Sequence, residues 1–488
     1  MTDAFVATDP PAADDPLRSA ITRAFLADER AMLESLAPLA ARDDTRAAAI
    51  SRKAATWVRE LRERPQRASM LDAFLREYGL SSREGVLLMC LAEALLRVPD
   101  APTAEKLIAD IVGGADWARH LGRSESLLVN ASTWGLLLTG RLVQLDDDEP
   151  GTMLLGRLVS RTSEPLVRLA LRQAMRMMGE QFVMGQDIGA ALRRARVEAH
   201  DGERHSFDML GEGALTQADA DAYLQRYRDA IDAIGKAAAD RANDPVESRP
   251  GISVKLSALH PRYEEFQRER VLRELRPRLL QLAIQARAQN IGLTVDAEEA
   301  DRLELSLDLV ESVFDDDALS GWTGFGLAVQ AVQKRAPAVI DWLVALAGRA
   351  GRRMAVRLVK GAYWDSEIQW AQERGLSGYP VWTHKTATDV AYLACARKLL
   401  DAGEARIYPM FATHNAHTIA WIADAARTHP AWEFQRLHGM GEALYALLRE
   451  EHGMVTPCRV YAPVGSHEAL LPYLVRRLLE NGANTGFV

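Results

Sequence analysis

GISVKLSAL (251–259), VLRELRPRLLQLAIQARAQN (271–290) and IGLTVDAE (291–298) succeed one another in the second half of the chain. The first and third are short apolar runs bounded by turn residues, while the middle one carries apolar residues at three-to-four spacing, so the stretch reads strand, helix, strand. The same alternation extends both ways. Upstream lies HSFDMLG (205–211), and downstream lie GFGLAVQA (324–331), MAVRLVKGAYW (354–364), ARIYPMFATHN (405–415), EFQRLHGM (433–440) and CRVYAPVG (458–465). Long amphipathic runs such as QADADAYLQRYRDAIDAIGKAAAD and DVAYLACARKLLDAG separate them. Eight strand-helix units in about 285 residues predict an α/β fold, a (β/α)8 TIM-type barrel, which typically takes about 250. A doubly wound open sheet competes, but it would require GxGxxG between a strand and a helix. The sequences from Gly211, Gly324 and Gly439 each offer GxG without the third glycine.

Outward from the barrel the texture is helical. Residues 16 to 145 show Ala, Leu, Arg and Glu at helical spacing, as in LRSAITRAFLADERAMLESL, and predict an all-helical arm and accessory domain over 1–145. The acidic DDDEPG at 146–151 marks a boundary, 146–200 reads as a helical linker, and the barrel occupies 201–488. The greasiest segment, Leu127 to Val143, is interrupted by Asn130, Ser132, Thr133 and Arg141 and reads as a buried helix, too short and polar to span a bilayer.

The 488 residues are 48% hydrophobic and 26% charged, which suits an ordinary globular core and leaves room for two or three domains. Lys and Arg number 59 against 67 Asp and Glu, a net charge of −8, which argues against a nucleic-acid partner. Cys90, Cys395 and Cys458 form no CxxC pair, and the opening MTDAFVATDPPAADD lacks a basic, apolar leader. Both features predict a cytoplasmic protein.

In a barrel, chemistry belongs at the C-terminal strand ends. Lys255, Asp296, Gln330, Arg357, Lys360, Thr413, His414, His438 and Tyr461 fall there. Strand ends always meet water, yet this many ionisable groups around one mouth, mostly cations and neutral donors, imply an anionic ligand. RLVKGAYW (357–364) sets Arg357 and Lys360 beside Gly361, followed by Tyr363 and Trp364, a combination that suits a pyrophosphate joined to a flat ring, or equally a solvated strand end over an apolar cap. THNAH (413–417) places His414 and His417 three apart, but no third metal ligand accompanies them, and His414 reads better as a hydrogen-bonding ring beside a cofactor. Arg476 and Arg477 lie on the amphipathic helix LLPYLVRRLLENGAN (470–484). They read either as anion ligands, if that helix lies over the mouth, or as partners of the helix dipole and Glu480.

These blocks together resemble a known family. GISVKLSALHPRYE (251–264), VDAEEADRLELSLD (295–308), VRLVKGAYWDSEIQWAQ (356–372), FATHNAHT (411–418), FQRLHGMGE (434–442) and YAPVGSHEALLPYLVRRLLENGAN (461–484) are similar to the proline dehydrogenase domain of bacterial proline utilization A. The likeness runs in order from about residue 200 to 488, and the helical region before it resembles that family's arm. The resemblance implies a distorted barrel that binds FAD noncovalently and oxidises L-proline to Δ1-pyrroline-5-carboxylate, passing electrons to a membrane quinone, with peripheral membrane contact when reduced.

By position, the resemblance assigns Lys255, Arg476 and Arg477 to the proline carboxylate and pairs Asp296 with this basic cluster. Tyr363, Leu437, Tyr461 and Tyr473 would wall the pyrrolidine ring. Arg357 and Gln330 would address the flavin ring. Lys360, Gly361, Ala362, Trp364, Thr413 and His414 would hold the rest of FAD, with Thr383, Lys385 and Glu480 toward adenosine. No metal is implied. The sequence lacks the family's aldehyde dehydrogenase region, expected in a full-length parent, and its opening residues lack the basic ribbon-helix-helix segment of DNA-binding members. Two other readings are oxidation of a different imino acid by the same cofactor and a catalytically silent proline sensor.

Overall fold

The computed structural model describes residues 15–63, 182–198, 203–211 and 213–465. The expected helices between 64 and 181, the 146–151 boundary, the helix at 470–484 and with it Tyr473, Arg476, Arg477 and Glu480 lie outside the described residues.

Within them the chain forms three arm helices, α1 (Pro16–Arg23), α2 (Glu29–Ala40) and α3 (Asp44–Glu63), then α4 (Ile188–Glu198) and a barrel. The arm starts where the sequence supplies caps. Asp15 Oδ1 accepts from Leu17 N at 2.8 Å with Pro16 at the first helical position, and Asp28 Oδ1 accepts from Ala31 N at 2.8 Å. The barrel strands are β1 (Glu203–Met209), β2 (Gly251–Val254), β3 (Gly292–Val295), β4 (Phe325–Gln330), β5 (Met354–Val359), β6 (Ile407–Ala412), β7 (Glu433–Leu437) and β8 (Cys458–Val464). The intervening helices are α5 (Gln217–Ala237), α6 (Arg268–Ala288), α7 (Leu303–Phe314), α8 (Ala336–Arg349), α9 (Trp364–Glu373), α10 (Lys385–Asp401), α11 (Ala416–Ala425) and α12 (Glu442–Glu450). All eight strands pair in parallel in chain order, and β1 closes on β8 from Glu203 opposite Cys458 to Met209 opposite Val464. The eight expected strands are therefore all present.

The period-two alternation of each strand divides the barrel into two surfaces. Phe207, Ile252, Val254, Leu293, Val295, Phe325, Leu327, Met354, Val356, Leu358, Ile407, Phe411 and Phe434 join the apolar core with the surrounding helices. Burying each such side chain contributes about 1.5–3 kcal/mol. The alternate set is polar: Ser206 and Asp208, Ser253 and Lys255, Asp296, Arg357, Glu433 and Gln435, Arg459 and Tyr461 are all buried. Where barrels of this class usually fill their interior with branched aliphatics, this one fills it with hydrogen-bonded charges.

The deepest charged layer centres on Glu433, whose carboxylate accepts from Arg459 Nε at 2.6 Å, Arg459 Nη2 at 3.0 Å, Arg204 Nη1 at 2.9 Å, Tyr408 OH at 3.2 Å and Gln435 Nε2 at 3.0 Å. Burial alone would raise its pKa, but the two guanidiniums overcome that and hold it below the ordinary carboxylate value. This layer supports the middle of the barrel from below and leaves the C-terminal mouth to a second, separate cluster.

Candidate active site

The second cluster is built from strand ends that face one another across the mouth. Lys255, one residue beyond β2, places Nζ 2.6 Å from Asp208 Oδ1, 3.3 Å from Tyr461 OH and 3.4 Å from Asp296 Oδ2. Asp296, one residue beyond β3, also accepts from Arg357 Nη1 at 2.6 Å and from Tyr461 OH at 2.7 Å. Arg357 Nη2 reaches down to Ser253 Oγ at 2.8 Å, and its guanidinium carbon lies 5.1 Å from the Tyr461 ring centroid. The backbone N–H of Lys255 donates to Tyr227 OH of α5 at 3.1 Å, so even the strand end is pinned.

Four charges share this small volume, two of each sign. Asp208 is fully buried, and desolvation pushes its pKa up against the pull of Lys255. Lys255 suffers desolvation too, but Asp208, Tyr461 and Asp296 together more than offset it and raise its pKa well above the ordinary lysine value. Asp296 is buried and still held below its usual pKa, because Lys255 and Arg357 outweigh its desolvation. At neutral pH Lys255 is an ammonium and Asp296 a carboxylate. The strand-end residues by themselves predict mostly cations and neutral donors around the mouth. Among the described residues the cluster holds as many carboxyl groups as cations, because Asp208, inside HSFDMLG, joins Asp296 beside Lys255 and Arg357. Its signal was available: Asp208 has the same strand parity as Ser206, the parity that turns inward.

A second group of predicted residues lines the β4–β5 side of the mouth. Gln330 donates through Nε2 to Glu298 O at 2.8 Å and accepts the Ala362 N–H at 3.2 Å through Oε1. Gly361 makes that turn with φ +135°, and a Cβ there would stand 2.4 Å from Val332 Cγ1, so no other residue fits. Lys360 pairs with Asp389 of α10. Lys385, the first residue of α10, has its pKa lowered by burial and then by the nearby Lys360 charge. Two ammonium groups held close enough to repel one another, beside a helix start that His384 does not cap with its side chain, form a donor set that suits a diphosphate. Trp364 donates its indole N–H to Trp382 O at 2.7 Å, and Thr383 binds Glu29 of α2.

On the β6–β7 side, His414 Nε2 accepts from Leu437 N at 3.1 Å, while Tyr445 OH donates to Thr413 O at 2.9 Å. Gly441, φ +68°, lets the chain pass His414, since a Cβ would come within 2.7 Å of His414 Cδ2. The two histidines of THNAH part company: His414 turns to the strand end and His417 is exposed on α11. His438 is buried, and desolvation followed by the Arg194 and Arg436 charges pushes its pKa down to about 3, so it is neutral at physiological pH. The structure thus brings Lys255, Asp296, Arg357 and Tyr461 into one network, and sets Gln330, Lys360, Gly361, Ala362 and Lys385 on one flank. Tyr363, Trp364 and Thr383 lie on that flank, and Thr413, His414 and Leu437 on the other.

A closed parallel barrel with a buried, hydrogen-bonded charge cluster at its C-terminal mouth defines a (β/α)8 enzyme-type scaffold. Sequence comparison narrows the class. The family described as Proline dehydrogenase matches residues 191–488, the DNA-binding domain of Proline dehydrogenase matches 70–182, and the Proline utilization A proline dehydrogenase N-terminal domain matches 15–62. The chain belongs to the proline dehydrogenase family. It is 53% identical over 480 residues to the bifunctional protein PutA of Salmonella typhimurium, covering 96% of this chain and 36% of that one. Against the PutA of Klebsiella aerogenes it is 56% identical over 428 residues, 86% of this chain and 32% of the relative. A crystal structure of a mutant Bradyrhizobium japonicum Proline Utilization A superposes with a TM-score of 0.71 at 50% identity, covering 95% of this chain and 46% of that one. The chain spans about a third of the length of these curated relatives.

Proposed function

We propose that this chain oxidises L-proline to Δ1-pyrroline-5-carboxylate with noncovalently held FAD and passes the electrons to a membrane quinone. The observation that carries the reading is the buried Asp208–Lys255–Asp296–Arg357 cluster at the barrel mouth, capped by Tyr461. The neighbouring donors suit FAD. Lys360 and Lys385 would take its diphosphate, and Arg357 and Gln330 its ring system. The buried Nε of Arg357 has no hydrogen-bond partner among the described residues, a donor free for a ligand. When bound, FAD supplies a two-electron acceptor for the hydride at proline C5.

The chain's own residues do the positioning. Lys255 presents an ammonium to the substrate carboxylate, with Arg476 and Arg477 as its further partners. Tyr461, Tyr363 and Leu437, with Tyr473, enclose the pyrrolidine ring. Arg357 is already locked by Asp296 and Ser253, so its positive charge needs no reorganisation as charge develops nearby. Thiol chemistry is absent from this scheme, since burial pushes both Cys395 and Cys458 up to about 12. Among the described residues no helix is long and apolar enough to cross a membrane. Nucleic acid stays outside the proposal on the whole chain's net charge of −8, although residues 70–182 match a family described as the DNA-binding domain of Proline dehydrogenase.

The test is an anaerobic visible spectrum with and without L-proline. Flavin bands that bleach on adding proline support the proposal. A colourless protein, or bands that persist with proline, would refute it.

A further inference from the structure

We infer that Glu29, on the arm, is a positioning residue for the loop 380–385 and presents the Thr383 hydroxyl to the cofactor as an acceptor, an inference that rests on the FAD reading above. Glu29 and Thr383 are 354 residues apart, yet the Glu29 carboxylate accepts from Thr383 N at 3.0 and 3.2 Å and from Thr383 Oγ1 at 3.0 Å. The hydroxyl proton is therefore committed to the arm. Toward a ligand, Thr383 Oγ1 retains lone pairs alone, which match an amino group or a sugar hydroxyl and not a phosphate oxygen. The Glu29 charge reinforces that choice by repelling phosphate. Thr383 thus selects the neutral nucleoside end of a dinucleotide, and the diphosphate falls to Lys385 and Lys360.

The rest of the loop is held so that this one contact decides where Thr383 points. Trp382 is fully buried, its indole N–H donates to Ala331 O at 2.8 Å, and its backbone N–H donates to Val332 O at 3.0 Å. Leu36 of α2 packs in the same apolar cluster as Trp382. Lys334 ties the link between α1 and α2 to the same platform, donating through Nζ to Ala27 O at 3.0 Å and through its backbone to Pro380 O at 3.0 Å. Removing the Glu29 carboxylate leaves these anchors in place and frees Thr383.

The experiment compares FAD release from the holoprotein, and FAD rebinding by the deflavinated protein, for wild type, Glu29→Ala and Glu29→Gln. Loss of two hydrogen bonds to a charged acceptor should raise the FAD dissociation constant about tenfold or more in Glu29→Ala. The KM for proline at saturating FAD should stay within about twofold. Glu29→Gln, which keeps an acceptor for Thr383 N, should fall between, and adding Thr383→Val to Glu29→Ala should cost nothing further. Should Glu29→Ala fail to fold, Glu29→Gln and Thr383→Val alone make the same comparison. Unchanged FAD affinity in variants whose deflavinated forms melt earlier would overturn the inference and leave Glu29 a stability contact. A wild-type protein that never binds FAD overturns the cofactor reading and this inference with it.

Discussion

Replacing Asp208 with Asn removes one charge from the balanced mouth while keeping the side chain's shape. The Asp208–Lys255 pair is 2.6 Å apart and Asp208 is wholly buried. At an effective dielectric of about 20, two unit charges at that distance attract by about 6 kcal/mol, of which part is offset by the desolvation of Asp208 that the variant no longer suffers. Breaking one partner of a buried pair typically costs about 3–5 kcal/mol. Lys255 retains Asp296 at 3.4 Å and Tyr461 at 3.3 Å, so the lower end, about 3 kcal/mol, is expected. The raised pKa of Lys255 gives a second readout. A lysine raised in the folded state contributes stability below its unfolded pKa and loses it as pH rises through the folded value. In Asp208→Asn that loss begins at lower pH, and the basic limb of kcat/KM for proline moves down with it. Denaturant titration at pH 7 and a pH–rate profile measure the two effects. A loss under about 1 kcal/mol together with an unmoved basic limb would show that Asp208 does not set the charge of Lys255.

Arg357→Met removes the fixed cation from the mouth, and turnover should fall about 10²-fold with FAD retained; stopped-flow bleaching by proline measures it, and unchanged rates refute the assignment. Glu433→Gln leaves Arg459 and Arg204 without a counter-charge and should cost about 3–5 kcal/mol in urea unfolding. Because the Glu433 pKa is depressed in the folded protein, its contribution exists above the unfolded value and fades as pH falls through the folded one, so the variant's stability should respond less to acid. Glu367, which accepts from Ala300 N at 2.6 Å, is pushed by burial up to about 7, so the folded protein favours its protonated form and loses stability as pH rises from about 4.5 to 7. Glu367→Gln should abolish that decline and gain up to about 3 kcal/mol at pH 8, read by melts across pH.

The barrel was legible because every strand is a short apolar run flanked by turn residues, with a periodic helix between successive strands. The ends were less so. MAVRLVKGAYW continues as a strand on pattern, but β5 stops at Val359, since Gly361 turns through positive φ and Trp364 opens α9. ARIYPMFATHN likewise overran, because Asn415 leaves the strand to cap α11, its Oδ1 accepting from Thr418 N at 2.9 Å. Lys255, Asp296, Arg357 and Tyr461 were visible as polar residues where strands should end. Asp208 and Glu433 sit within strands, where a polar residue ordinarily signals the solvent face. Reading them as interior required knowing that the closed sheet turns that face toward its own axis. Glu29 carries no local mark at all, for its partner is fixed only by tertiary docking.

That docking also has a timetable. The arm is the first part of the described chain to leave the ribosome, yet its partners come late: Ala40 O accepts from Trp421 Nε1 across 381 residues, and Arg42 stacks 4.0 Å over the same indole. At about 5–20 residues per second, α2 and α3 wait about 20–75 s with their apolar faces uncovered before α10 and α11 exist to receive them. Strand β1 has a similar wait for β8, so closure of the barrel must await residues 458–464 and seating of the arm must await α10 and α11. A nascent chain stalled before Trp421 should therefore present the arm to proteases and chaperones, and one released after β8 should not.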